Sequence, residues 1–251
     1  NGWSLNADNA TRWQLFHRGE QVPVYVTDSG IFFYGTANSG SLDQYLFEDP
    51  DRDQLNKEYS MYSDTAAYFL GLSQEQDTGG QYSLSPTGDA GVLSPEPYFI
   101  REAKTVFSEH PVKAFIRNAN EGISIFYSHY EISEGYGSRE TNDLLSFNGS
   151  TESTFEVELP NLAPASEAST ISIRYGLGFN LHNQLISVDG QQIGTHESNG
   201  WGVFTQDGNF TPSSPVISGS LAGSGSDRDK AILASVIINY PATTEIDVPT
   251  G

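Results

Sequence analysis

Three aspartates at alternate positions, Asp49, Asp51 and Asp53, have the spacing of hard oxygen ligands along a calcium loop. The stretch lacks the glycine expected at the sixth position and the bidentate glutamate at the twelfth, which is Ser60 here. These three carboxylates are the candidate cation ligands of the chain, against the plainer reading of a solvated acidic loop. The five histidines, His17, His110, His129, His182 and His196, are scattered, and none stands at the helical i, i+4 spacing of a zinc pair. Each reads as a surface or sheet residue. No G-x-S-x-G elbow presents a serine, and Gly176-Leu177-Gly178 lacks the third glycine of a dinucleotide fingerprint. A glycosidase would need two carboxylates about 5–10 Å apart. With 32 acidic residues the sequence nominates no such pair. Tyr98, Tyr136 and Trp201 are aromatic candidates for stacking on sugar rings, the basis of a carbohydrate-binding alternative.

Composition narrows the field further. A formal charge of −20, with 12 basic residues, repels phosphate backbones and anionic membrane surfaces, so nucleic acid is excluded as a partner. The absence of cysteine removes disulfides, thiolate metal sites and a cysteine nucleophile together. No apolar run reaches transmembrane length. An acidic, lysine-poor chain beginning at Asn1 suits an extracellular or bacterial cell-surface protein from which an upstream piece has been removed. Sequons at Asn9, Asn148 and Asn209 sit in polar stretches and are expected on surface loops.

The elements that would position these residues are strands. The chain has 25 Gly, 12 Pro, 13 Tyr and 14 Phe, which suits short strands and tight turns. Ile31–Tyr34 and Tyr59–Leu70 are apolar and aromatic, and flank a polar stretch that holds the three aspartates. They read as two core strands joined by a surface insertion. Val22, Val24 and Val26 alternate, and Thr27–Gly30 turns the chain into a hairpin with Ile31–Tyr34. Residues 73–97 read as a loop or connection, placing a boundary near residues 95–105.

Beyond it, alternation is cleaner. Val112, Ala114 and Ile116 precede a turn at Asn118–Gly122, followed by Ile123, Ile125 and Tyr127. Further strands hold Phe155, Val157 and Leu159, then Ile171, Ile173 and Tyr175. Ile186 and Val188 lead into Asp189-Gly190, a two-residue hairpin turn that would set Ile193 opposite Ile186. Ile232, Ala234, Val236, Ile238 and Tyr240 form one face of a last strand. The expected fold is all-β: a β-rich N-terminal part over residues 1–100, then an antiparallel, jelly-roll-like sandwich over 101–251.

Two segments, IFFYGTANSGSLDQYLF and EYSMYSDTAAYFL, resemble the region that precedes the catalytic domain in gingipain-like cysteine peptidases. The similarity is to the sortase-type members of the type IX secretion system. It rests on Phe33-Tyr34-Gly35, on Asn38-Ser39-Gly40-Ser41-Leu42-Asp43, and on Ser60 to Leu70. His182 before the VDGQQIG turn, and the closing IINYP, extend it from about Val22 to Pro241. Ala242 departs from the arginine that often follows Tyr-Pro in that family. The resemblance implies a non-catalytic accessory region whose partners are a downstream peptidase domain and, at the cell surface, secretion-system proteins, substrate or glycans. A free-standing carboxylate hydrolase is the remaining rival.

Overall fold

The structure, a computed structural model, describes residues 7–75, 79–82, 96–112, 135–138, 152–164, 168–177, 181–200, 202–223, 229 and 231–243. The expected strands through Ala114, Ile116 and Ile123–Tyr127 lie outside the described residues. So do His129, Gly178, Trp201 and the sequon at Asn148. The chain forms two compact units. The first holds Asn1–Asn38 and Ser63–Ser94; the second holds Ser39–Tyr62 and Pro95–Gly251. This division is not linear. Residues 39–62, which sequence alone places with the N-terminal part, fold with the sandwich.

In the first unit, β1 (Trp13–His17) pairs antiparallel with β2 (Glu20–Val22) and β5 (Phe69–Leu72), while β3 (Tyr25–Thr27) and β4 (Gly30–Phe32) form a hairpin. Thr27 pairs with Gly30, so the turn is only Asp28-Ser29. Trp13, Leu15 and Val24 are buried. The aromatic run that sequence reads as a core strand is mostly outside: Phe32, Phe33 and Tyr34 are all exposed, Tyr34 at 77%. Among the described residues of this unit, no second sheet layer covers them.

The second unit contains β6 (Phe99–Val106), β7 (His110–Val112), β8 (Gly135–Gly137), β9 (Glu152–Glu158), β10 (Ser169–Leu177), β11 (Leu181–Val188), β12 (Gln191–Asn199), β13 (Gly202–Phe210), β14 (Val216–Gly223) and β15 (Ala231–Ala242). Two four-stranded antiparallel sheets run β13-β10-β15-β6 and β12-β11-β14-β9, with β7-β8 as a separate pair. The chain crosses between the sheets in the order of a jelly roll. Inward residues of β9, β10 and β11 alternate with outward ones as the sequence suggests, and Phe155, Val157, Ile171, Ile173, Ile186 and Val188 form the core.

Two bulges redirect side chains. In β15, Arg174 pairs with Ser235 and Tyr175 with Leu233, so Ala234 is the extra residue. Val236, Ile238 and Tyr240 therefore face the inner core together with Ala231 and Leu233, whereas Ile232 and Ala234 turn to the outer face. The expected single stripe from 232 to 240 is split in two. In β12 the pairing shifts so that Ile186 meets Gly194, not Ile193, although the two-residue turn is present. Asp189 and Gly190 adopt φ of 50° and 75°, the left-handed conformation that turn requires.

Candidate functional site

The split stripe creates a second apolar cluster of Leu55, Val112, Val203, Ile232 and Ala234 on the outer face of the β13-β10-β15-β6 sheet. Residues 39–62 lie over it as a strap, and Leu55 is fully buried there. Burial of a leucine side chain contributes about 1.5–3 kcal/mol. Polar anchors hold the strap down. Asn56 Nδ2 donates to the carbonyls of Phe107, Tyr136 and Ala234 at 2.9, 3.0 and 3.2 Å. Its Oδ1 accepts from the backbone N–H of Glu58 and Tyr59. Arg174 reaches out from β10 and donates to the carbonyls of Gln54, Leu55 and Asp51. The buried Asp43 accepts from Ser60 Oγ and Met61 N–H at 3.1 and 2.6 Å. Gly40 packs where a Cβ would come within 2.4 Å of the Asn56 carbonyl, so no larger residue fits. The stretch read as a solvated insertion is thus among the best-satisfied polar segments of the chain.

The three candidate calcium ligands sit at the tip of this strap with separate employments. Asp49 caps the short helix α1 (Pro50–Asp53) by accepting from Arg52 N–H at 3.3 Å. Asp51 is exposed and bonded to Lys57, and that hydrogen bond, then the lysine charge, holds its carboxyl below the usual range. Asp53 is buried and accepts both bonds of a fork from Arg52, at 2.6 and 2.7 Å. The carboxylates are neighbours in sequence but do not converge. Among the described residues no group of three or more His, Cys, Asp or Glu side chains could hold a metal ion. We expect the melting temperature to stay unchanged when calcium is added and then chelated. A calcium-dependent rise would support the ion-site reading, because a ligand that binds only the native state raises its stability.

A second constellation was not legible in the sequence. At one end of the space between the sheets, His182 Nδ1 and Asp229 Oδ1 lie 2.8 Å apart, with side chains 0% and 3% exposed. Asp229 also accepts from Asn183 N–H at 3.0 Å and from Gln184 Nε2. Burial pushes the Asp229 carboxyl up, but donation from Asn183, His182 and Gln184 outweighs it and holds the group below its ordinary range. On β12, His196 pairs with Gln184 and Ser198 with His182. His196 packs against Phe204 at 4.1 Å between ring centroids and stands edge-on to Tyr175 at 5.9 Å. Burial, then the neighbouring His182, lowers the His196 pKa.

An acid, a histidine and a serine meet here, yet Ser198 Oγ makes no hydrogen bond and is sealed from solvent. No nucleophile–base bond of a triad is formed. The signal that could have found this cluster is the polar interruption of an inward-facing strand: His182 and Gln184 take the core parity of Ile186 and Val188.

His17 stacks on Tyr68 at 4.4 Å and its Nδ1 lies 3.0 Å from the Ala67 carbonyl, while His110 lies exposed on β7. Tyr136 is half-buried edge-on against Tyr59, and Tyr98 is half-buried, so neither forms an open sugar platform. The most exposed rings among the described residues are instead Tyr45, Tyr34, Phe69 and Tyr62, at 83%, 77%, 69% and 68%. The sequon asparagine Asn209 lies on strand β13 and not on a loop, and Asn9 accepts from Trp13 Nε1 at 3.1 Å. No helix among the described residues is long and apolar enough to cross a membrane.

No protein-family model matches the sequence, and no curated protein matches it. Among solved structures, the chain is similar to dimeric latent PorU from Porphyromonas gingivalis, with a TM-score of 0.54 at 12% identity. The match covers 97% of this chain and 23% of that one, so the chain spans less than a quarter of its neighbour's length. A family 36 carbohydrate-binding module in complex with calcium and xylotriose matches at a TM-score of 0.25 and 16% identity, over 34% of this chain and 70% of that one. A family 35 carbohydrate-binding module from an environmental isolate matches at 0.29 and 13%, over 61% and 96%. The first likeness shows a shared fold; the two modules lie too far away to argue from.

Proposed function

We propose that this chain is a non-catalytic accessory region of a larger secreted or cell-surface gingipain-like peptidase, where it packs against the catalytic domain or contacts a partner. The observation that carries this reading is the lopsided coverage of the PorU likeness, nearly all of this chain against a minor share of the other. The motifs around Tyr34, Leu42-Asp43 and Asp64-Thr65 support it, and so does a sequence without cysteine. In this role the sandwich supplies the packing body, with residues 39–62 strapped onto one of its sheets.

The gene's full reading frame provides the test. A peptidase domain bearing His and Cys is expected downstream, and that domain, expressed separately, should co-elute with residues 1–251. A reading frame that ends at Gly251, or turnover of peptides by the isolated chain, would overturn the proposal. Glycan-array binding that is lost in Tyr45→Ala would favour a carbohydrate-binding module instead.

A further inference from the structure

Four side chains at the polar end of the jelly roll each present an atom that is sealed from solvent and has no hydrogen-bond partner among the described residues. These atoms are Tyr175 Oη, Gln184 Oε1, His196 Nε2 and Ser198 Oγ. Tyr175 and Gln184 are completely buried. The four converge. Gln184 and His196 are directly paired across β11 and β12, Ser198 lies two residues along the same face, and Tyr175 reaches over from the opposite sheet to meet His196. A buried polar group left unpaired weakens folding about five- to hundredfold, and four such groups in one place would be exceptional for a native protein.

Their chemistry defines the occupant. Gln184 Oε1 only accepts, so the occupant must donate; the hydroxyls of Tyr175 and Ser198 donate or accept, so it must also be able to accept. Burial pushes the Tyr175 phenol up, keeping it a neutral donor. A metal ion is unsuitable for Gln184, His196, Tyr175 and Ser198, since the described residues offer no set of three strong ligands. An anion would face the Gln184 carbonyl oxygen without giving it a proton. A small neutral molecule with two donors and two acceptors fits, and water needs two to four polar partners to remain in an interior. We infer that this end of the sandwich is a hydrated site, in which buried water bridges Tyr175 on one sheet to Gln184, His196 and Ser198 on the other. The inference stands apart from the proposed peptidase-accessory role.

Tyr175→Phe and Ser198→Ala test it, because a wet and a dry site respond with opposite sign. If water bridges the groups, each variant deletes a partner and raises the unfolding equilibrium constant, read from urea titration, by about fivefold. In the double variant the two effects should add to less than their sum, since both hydroxyls serve one network. Unchanged or increased stability in both single variants would overturn the inference, because removing an unpaired buried hydroxyl relieves the fold. A crystal structure of the parent chain gives an independent readout. Ordered water within hydrogen-bond distance of Tyr175 Oη and Gln184 Oε1 is the expected result; dry density, or density for a larger molecule, would overturn it.

Discussion

Asn56→Ala should destabilise the sandwich unit by about 3–5 kcal/mol, as read from the urea midpoint at constant m-value. The carboxamide meets five backbone groups from one side chain: three carbonyls share the two Nδ2 hydrogens, and two N–H groups donate to Oδ1. Alanine leaves these groups short of partners in a place where Asn56 itself is 2% exposed. Each orphaned group costs about 1–3 kcal/mol, with partial relief where water enters. Asn56→Asp should be worse, since a carboxylate would point at three carbonyl oxygens. Adding Arg174→Ala to Asn56→Ala should cost less than the separate effects summed, because both residues hold the same strap. A loss below about 1 kcal/mol for Asn56→Ala would mean that the strap rests on the sheet without supporting it.

Asp229→Ala should cost a similar amount, about 3–5 kcal/mol, by removing the acceptor that His182, Gln184 and the Asn183 N–H share. This variant also separates two stages of acid sensitivity. His196 titrates below its ordinary value of 6.5 in the folded state, so the unfolded chain takes up its proton first and stability falls as pH drops through and below 6.5. Asp229 titrates below 3.8, so its contribution is complete above that value and is lost as pH falls through the lower folded pKa. Urea midpoints followed from pH 7.5 down to the acid limit of folding should show both stages in the parent chain. Asp229→Ala should remove the second stage and keep the first; an unchanged acid limb would assign it to other carboxylates.

The sandwich was readable from the chain because one face of each strand is wet. Glu156 and Glu158 against Phe155 and Val157 declare which side is in, and Asp189-Gly190 declares where the hairpin turns. Parity fails where a bulge intervenes. Nothing in ILASVIINY marks Ala234 as the extra residue, yet that one insertion sends Ile232 to the opposite face from Ile238. The larger inversion concerns residues 31–70. Hydrophobicity made Phe32, Phe33 and Tyr34 core and Asp43, Asp53, Gln54 and Asn56 surface, whereas the structure has them the other way round. A pattern of residue types records how strongly each side chain avoids water, but not whether a partner layer exists to cover it. Nor does it show that one asparagine will find three carbonyls from strands up to 178 residues away. The His182–Asp229 cluster was hidden for the same reason, since its members lie 47 residues apart in the chain and only the fold gives them a common neighbourhood.

The strap has a consequence for the order in which the molecule can be made. Leu55 and Asn56 leave the ribosome early, but their seat is built from Val112, Val203, Ile232 and Ala234, the last two on the final strand. At 5–20 residues per second, roughly 10–35 s separate the synthesis of the strap from that of its landing place. During that interval the second unit cannot close, and Leu55 has no apolar surface to cover. A chain carrying a charge of −20 is suited to the delay, because like charges keep unfinished copies apart until the last strand arrives.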